Sequence, residues 1–449
     1  MSEEQNGKAI RHLVNRKSHA EFTVGSKRPS VFEMIQQSNE DRLEELIPVR
    51  HARMSASPFA FYRGAAGIMA RDLAQLPQTN IKVQAIGDCH LMNFGGFASP
   101  ERTLILDAND FDETIPASWE WDIKRLATSF VLAGRNIHLR KEDCRELAYM
   151  AMQSYRQHME VFSEMELLQL WYMKFDIDRL RKHAKSVELR QQFDDAISRA
   201  QKNTNEKVFY KITQQVMGKF EIMDQPPLVY HAQNVQESLS FVDQFLTSYR
   251  DTLQDDRRWL FNQFKAVDVA LKVVGVGSVG TRCYVVLLLN SKEEPLFIQV
   301  KEARQSVLQP FTAPSQYAHN GQRVVEGQRL VQAASDIFLG WSTGSAGRHF
   351  YLRQLRDKKL APDVEHFDKE LLGAYAKLCG RMLARAHAKT GDGGLISSYM
   401  GKSDVLDEAI SKFALAYADQ TERDYAEFLK LIKSGKLVKG EEPTETSMR

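Results

Sequence analysis

Two short stretches carry residues suited to phosphate chemistry. In GDCHLMNFG, residues 87–95, Asp88 and Asn93 stand five apart, and the strand-like run LILDANDFDE, residues 104–113, ends in Asp107, Asp110 and Asp112. An Asp five residues before an Asn matches the separation in a catalytic loop where the carboxylate meets a hydroxyl proton and the amide holds metal. Carboxylates crowded into short loops repel one another unless a cation compensates, which points to Mg²⁺ or Mn²⁺ held by Asn93 and one of the acids. Asp110, followed by Phe111, is favoured, with Asp107 and Asp112 as competitors. An Asx-rich turn system would use the same residue types without any metal. His90 is either a scaffold for the loop or a further ligand, the second suiting a metal-dependent phosphohydrolase.

The other stretch spells G-x-G-x-x-G with Gly275, Gly277 and Gly280, and Ser278 lies between the last two. Backbone that closes over phosphates must lack side chains and tolerate unusual dihedrals. Because TRCYVVLLL continues as a strand rather than a helix, a dinucleotide-binding βαβ unit is disfavoured, and a glycine-rich hairpin without ligand is the plain alternative. Lys301, in LFIQVKEA and 21 residues after Gly280, alternates with Ile298 and Val300, so it leaves one defined face of its strand toward the nucleotide phosphates. Glu326 on the following helix is the expected ion-pair partner, ahead of Glu302, which points to the opposite face.

These residues need elements to hold them. Residues 80–112 read as strands broken by loops. From 123 to 265 apolar residues recur at helical spacing, with WEWDIKRLATSF placing Asp122 as a helix N-cap that can also brace the first loop. Around 266–302 the period becomes two, giving three strands of a small antiparallel sheet with a turn at NSKEEP. A helix (QRVVEGQRLVQAAS), further strands (RHFYLRQL) and a helical C-terminal part follow. Residues 1–30 and the end, KGEEPTETSMR, are expected to be loosely ordered. Arg53, Arg63, Lys124 and Arg125 flank the first site as candidate substrate or phosphate contacts.

The chain has 449 residues, enough for two lobes with buried cores, and a formal charge of +2 gives no general demand for nucleic acid or an anionic membrane. Its four cysteines are scattered with no C-x-x-C pair, as in a reduced compartment. No apolar run is long enough for a signal core or a bilayer span, so the expected location is the cytoplasm.

Taken together, SPFAFYRG, GDCHLMNFG, NDFDE, WEWDIKRLA, GVGSVGTRCYVVLL, LFIQVKEA and LARAHAKTGD resemble the bacterial domain-of-unknown-function 2252 family, over roughly residues 40–430. That resemblance implies a protein-kinase-like α+β fold. The local likeness is to aminoglycoside and other small-molecule phosphotransferases, whose G-D-x-H-x-x-N loop, strand-end acid and Asp-Leu-Ala helix start fall here on Asp88, Asn93, Asp110 and Asp122. Such relatives place a helix reading L-A-x-x-H-A just before the catalytic loop, whereas here LARAHA occupies 383–388. The order is that of a circular permutation, with a small sheet lobe and a larger helical lobe.

The expected division is therefore as follows: 31–140 for the catalytic loop and metal acids, 141–265 as a helical region joining the lobes, 266–356 as the nucleotide-binding lobe, 357–435 as the helical completion, and 436–449 as a flexible tail. The implied activity is ATP- and Mg²⁺-dependent phosphoryl transfer to a small-molecule hydroxyl. Alternatives are nucleotidyl transfer, a non-catalytic nucleotide-binding regulatory module, and a metal-dependent phosphohydrolase. The loop reads Ile-Gly-Asp rather than His-Arg-Asp, so protein substrates are not implied, and Asp112 stands where Asp-Phe-Gly has glycine.

Overall fold

The computed structural model describes residues 3–183, 190, 191, 193–195, 197, 198, 205–231, 242, 245–355 and 360–440. Its architecture is mixed α+β. Six antiparallel strands form one sheet in the order Gly340–Thr343, His349–Gln354, Pro295–Glu302, Cys283–Leu289, Lys265–Lys272, Val229–Tyr230. The alternation read from the sequence decides its two faces. Leu296, Ile298 and Val300 enter a core with Phe245, Tyr249, Phe261, Phe338 and Phe350, while Gln299 and Lys301 take the opposite face and line a cleft.

Asn290 closes the NSKEEP turn, its side-chain oxygen accepting from the backbone N–H of Lys292 and Glu294, each at 2.9 Å. The helix Asn320–Val331 connects Pro295–Glu302 to Gly340–Thr343.

The larger part is helical. Trp119–Asn136 is buried almost all round, as expected of a helix sheathed by others, here Lys141–Ser163, Lys369–Thr390 and Val405–Lys433. Two short sheets, Lys82–Ala85 with Ile115–Ser118 and Phe94–Ala98 with Leu104–Ala108, hang the loops of residues 86–93 and 109–114 beside that bundle. Among the described residues no helix is long and apolar enough to cross a membrane, and all four cysteines are buried free thiols.

Two expectations about order are corrected. Residues 3–30 are not loose. The helix Glu3–Leu13 and the turn after it bring Arg11 to the Tyr399 carbonyl (2.7 Å) and Arg16 to that of Met400 (2.6 Å), satisfying the last-turn carbonyls of the helix Gly393–Met400. Arg28 then bridges the carboxylates of Asp72 and Asp424. Periodicity could not disclose this, because the contacts are cationic and reach elements almost four hundred residues away.

Between 141 and 265 short strands stand among the helices. Met217 and Gly218 turn with φ of 49° and 80°, making the hairpin Thr213–Val216/Lys219–Ile222, and Val229–Tyr230 joins the sheet edge. Part of the expected helix at 235–249 lies outside the described residues. The tail is anchored as far as it is described, with Leu437 buried and the Gly440 N–H donating to Pro48 O at 2.9 Å; residues 441–449 lie outside the described residues.

Candidate active site

The loop that follows Lys82–Ala85 is fixed through its backbone. Gly87 has φ +89°, and a Cβ there would stand 2.3 Å from Glu113 O, so only glycine fits. Asp122 accepts from the N–H groups of Ile86 (2.6 Å) and Gly87 (3.0 Å), and its Oδ2 lies 3.2 Å from His387 Nε2. His387 Nδ1 in turn lies 2.9 Å from Tyr155 Oη. Asp122 is thus not the N-cap: Ser118 holds that place, and Asp122 sits in the first turn with its carboxylate spent on the loop.

Further along, Ser129 Oγ accepts from Leu91 N (3.0 Å), and Tyr375 Oη lies 2.8 and 2.9 Å from the carbonyls of Leu91 and Phe94. Asn93 Nδ2 donates to Asp88 O at 2.6 Å, which leaves its Oδ1 as the atom for a cation.

Asp88 opens into the cleft with one oxygen held by Arg125 at 2.6 Å. Burial alone would lower the Arg125 pKa, but Asp88 together with Tyr62 and Tyr417 outweighs it and holds the guanidinium charged. Arg125 is therefore a partner of Asp88 rather than a phosphate receiver. Lys124 is no receiver either, since it is buried in the helical core over the Phe413 ring at 4.6 Å, where burial pushes its pKa down to about 8. Arg63 lines the cleft beside His90. Burial is the main reason the His90 pKa falls to about 3, so the ring is neutral; its Nε2 is 3.8 Å from Asp88 Oδ2.

Across the cleft, Lys301 forms ion pairs with Asp112 and, at 3.5 Å, with Asp110. Burial opposes its charge, yet Asp110 and Asp112 raise its pKa. Asp112 also accepts from Tyr351 Oη (2.8 Å) and from Ser278 Oγ (3.1 Å) of the glycine segment. The ammonium stands where a cation is favoured. Asp110, Asp112 and Asn93 are all hard oxygen donors, a set that suits Mg²⁺ or Mn²⁺ completed by phosphate oxygens. Among the described residues no three His, Cys, Asp or Glu side chains are grouped to hold a metal ion.

Gly275, Gly277, Ser278 and Gly280 lie in the segment between Lys265–Lys272 and Cys283–Leu289, the first three at the mouth of the cleft. A Cβ on Gly275 would meet nothing within 4 Å, and Gly280 has φ +86°. The segment is strapped by Arg42, which reaches the carbonyls of Val279 and Gly277, and by Arg53, which reaches Val274 O at 2.5 Å. Arg53 accordingly contacts protein backbone.

Two sequence assignments fall away. Asp107 is buried and turned from the cleft, where Arg385 (2.7 Å) and the Ala333 N–H (3.0 Å) neutralise it, so of the three acids only Asp110 and Asp112 face the cleft. Glu326 pairs with Arg329 at 3.0 Å, not with Lys301, because the face of Asn320–Val331 turned inward carries Arg323, Val324 and Gly327. Arg323 is the residue the sequence reading missed: it donates to the carbonyls of Asp112 and Arg304 (both 2.8 Å) and of Thr114 (2.6 Å), tying the acid loop to the chain just past Lys301. Glu302 pairs with Arg282 and Arg348, on the face opposite Lys301.

The cleft that receives Asp88, Asn93, Asp110, Asp112 and Lys301 has a volume of about 2050 Å³. Residues 42–431 match a protein family described as uncharacterized protein conserved in bacteria, DUF2252. The chain belongs to that family. No curated protein and no solved structure matches it. Membership in DUF2252 spans both the loop at 86–93 and the glycine segment, so both walls of the cleft belong to the family's own extent.

Proposed function

We propose that the chain is an ATP- and Mg²⁺-dependent transferase of kinase-like fold, circularly permuted, that passes a phosphorus group from the nucleotide to a small-molecule hydroxyl. The observation that carries this is Lys301 held between Asp110 and Asp112 beneath Ser278 of the glycine segment, with Asp88 and Asn93 lining the same cleft. Transfer of this kind asks the protein mainly for alignment and charge neutralisation. Asp88 would orient the acceptor hydroxyl and take its proton. Asn93, Asp110 and Asp112 would hold the metal, which supplies neutralisation of the phosphate charge. Lys301 would move from the acids to the phosphates.

Support for the permutation comes from the chain ends that a cut would separate. Thr390, at the end of the helix carrying LARAHA, accepts from Gln84 N at 3.2 Å, and a Cβ on Gly391 would stand 2.7 Å from Lys82 O. The end of that helix thus abuts the strand leading into the catalytic loop, as it would if the two were consecutive.

Calorimetric titration of Mg²⁺-ATP into the wild type, Lys301→Ala and Asp110→Ala tests the reading. Binding that needs metal and weakens at least roughly tenfold in both variants is expected, since each removes a charge-assisted contact. A wild type that takes up divalent metal but no ATP would defeat it.

A further inference from the structure

The sheet face that carries Lys301 continues past it into a region of different character. Residues paired across strands share a face, so Ala270, Val285, Gln299 and Arg353 form one row, and Cys283, Lys301 and Tyr351 form the next. Lys272 follows Leu271, the partner of Tyr284, and so stands beside Cys283, two strands or roughly 10 Å of sheet from Lys301. Val229 pairs with Lys272 in turn, and Gln225 forms a bridge with Val229.

Lys272, Gln225 and Arg353 all line the cleft. So do Ile222, Val229, Val285 and Leu355, which belong to one packed apolar cluster. Apolar surface with a few polar groups among it suits a flat ring that lies against the first and bonds through its edge to the second.

Those polar groups have bonds to give. Lys272 makes no hydrogen bond or ion pair among the described residues, and chiefly burial holds its pKa below the ordinary lysine value. Arg353 spends its Nε–H on Gln299 Oε1 (3.0 Å) and an Nη1–H on Asn109 O (3.2 Å), which leaves the rest of the guanidinium fork. Burial opposes the charge of Arg353, while Tyr351, Asp110 and Asp112 sustain it. Gln225 Oε1, an acceptor, is buried with no hydrogen-bond partner among the described residues.

In the transferase reading the phosphates lie at Lys301 and the acids, and the acceptor must bring its hydroxyl to Asp88 on the other wall. The far part of the sheet face is then left for the base. Adenine has one ring acceptor beside its amino group, so an edge met by two donors suits it poorly. Guanine presents O6 and N7 side by side, the pair that lysine and arginine read, and its N1–H and amino group can donate to an acceptor such as Gln225.

We propose that the base of the nucleotide is read by Lys272 and Arg353 and that it is guanine, so that GTP is preferred to ATP; the inference rests on the transferase reading above.

The test titrates Mg²⁺-GTP, Mg²⁺-ATP, Mg²⁺-7-deaza-GTP and Mg²⁺-tripolyphosphate into the full wild-type chain by calorimetry. GTP is expected to bind at least roughly tenfold more tightly than ATP and than tripolyphosphate, and 7-deaza-GTP, which lacks the N7 acceptor, to lose most of that margin. Lys272→Met and Arg353→Met, each checked by a melting curve, should bring GTP and ATP to within roughly threefold of each other. That ratio is read within one protein, and the wild-type comparison needs no variant to fold.

ATP or 7-deaza-GTP binding as tightly as GTP overturns the guanine assignment while leaving the transferase reading intact. Tripolyphosphate that matches GTP overturns it too, since the base would then make no contact, and so do folded variants that keep the wild-type ratio. A wild type that binds neither nucleotide with Mg²⁺ defeats the transferase reading itself.

Discussion

The loop of residues 86–93 and the glycine segment of residues 273–282 line the same cleft, yet they are held by opposite means. The first is gripped through buried groups that reach its backbone: Asp122, Ser129 and Tyr375 from three positions on two helices, with Asn93 closing it internally. The second hangs between two strands: Val273 and Val279 are buried near its ends and the Leu43 N–H reaches Gly280 O, but its tip, residues 275–278, is hydrogen-bonded outside the segment only by Arg42 at Gly277 O and by one hydroxyl, Ser278, at Asp112, among the contacts of the described residues. Buried bonds to backbone cost several kcal/mol to break, whereas half-exposed side-chain contacts exchange with water and ligand. One wall of the site is therefore built before any ligand arrives, and the other adjusts. That division suits chemistry in which the acceptor hydroxyl needs a fixed geometry and the nucleotide must enter and leave.

The strongest way to break the comparison is to undo the fixed wall. Asp122→Ala removes the acceptor for two buried N–H groups and the carboxylate beside His387, so unfolding free energy should drop by about 3–5 kcal/mol. Chemical denaturation of the purified chain measures this. A loss below ~1 kcal/mol would mean that the loop is not held by Asp122, and the contrast between the walls would vanish.

The loop of residues 86–93 and the far edge of the sheet that carries the glycine segment should also differ in the direction of their pH sensitivity. His90 has its pKa lowered to about 3, chiefly by burial, while an unfolded histidine titrates near 6.5. Below pH 6.5 the unfolded chain takes up a proton that the folded ring refuses, so stability falls as pH drops toward 3, by about 2 kcal/mol at pH 5. His231, at the sheet edge, behaves in reverse. Its hydrogen bond to Asp268 is the main cause of a pKa raised to about 9. Its contribution is full below pH 6.5 and disappears as pH climbs through 9. The group is partly exposed, so screening keeps the effect near roughly 1 kcal/mol. Stability–pH curves of His90→Asn and His231→Asn should each lose one arm, acid for the first and alkaline for the second. If both variants lose the same arm, the assignment of opposite signs is wrong.

What the sequence disclosed follows the same divide between local and distant contacts. Asp88 with Asn93, the acids at 110 and 112, and the outward face of Lys301 were readable because each depends on spacing within a few residues or on strand alternation. Asp107 looked like a peer of Asp110, and only a contact 278 positions away, with Arg385, takes it out of the cleft. Asp122 looked like a cap because its partners, Ile86 and His387, are 36 and 265 positions distant. Glu326 and Arg323 share one helix, and the 3.6-residue period tells which faces exist but not which one meets the acid loop. The six-stranded order needed the pairing itself. Short strands such as Val229–Tyr230 carry too few residues to show a period of two.

The smallest predicted effect concerns the adjustable wall and sharpens the comparison most finely. Ser278→Ala removes the one hydroxyl that ties the glycine segment to Asp112, while Tyr351 and Lys301 still hold that carboxylate. The cost in stability should be about 1 kcal/mol or less, since the serine is half-buried and the bond is one of several. Nucleotide binding with Mg²⁺ should improve a fewfold, because Asp112 has one contact fewer to give up when the metal arrives. Calorimetry at fixed Mg²⁺ compares the two proteins. If the affinity falls instead, Ser278 contacts the nucleotide directly, and the glycine segment is a formed cradle rather than a latch that ligand must release.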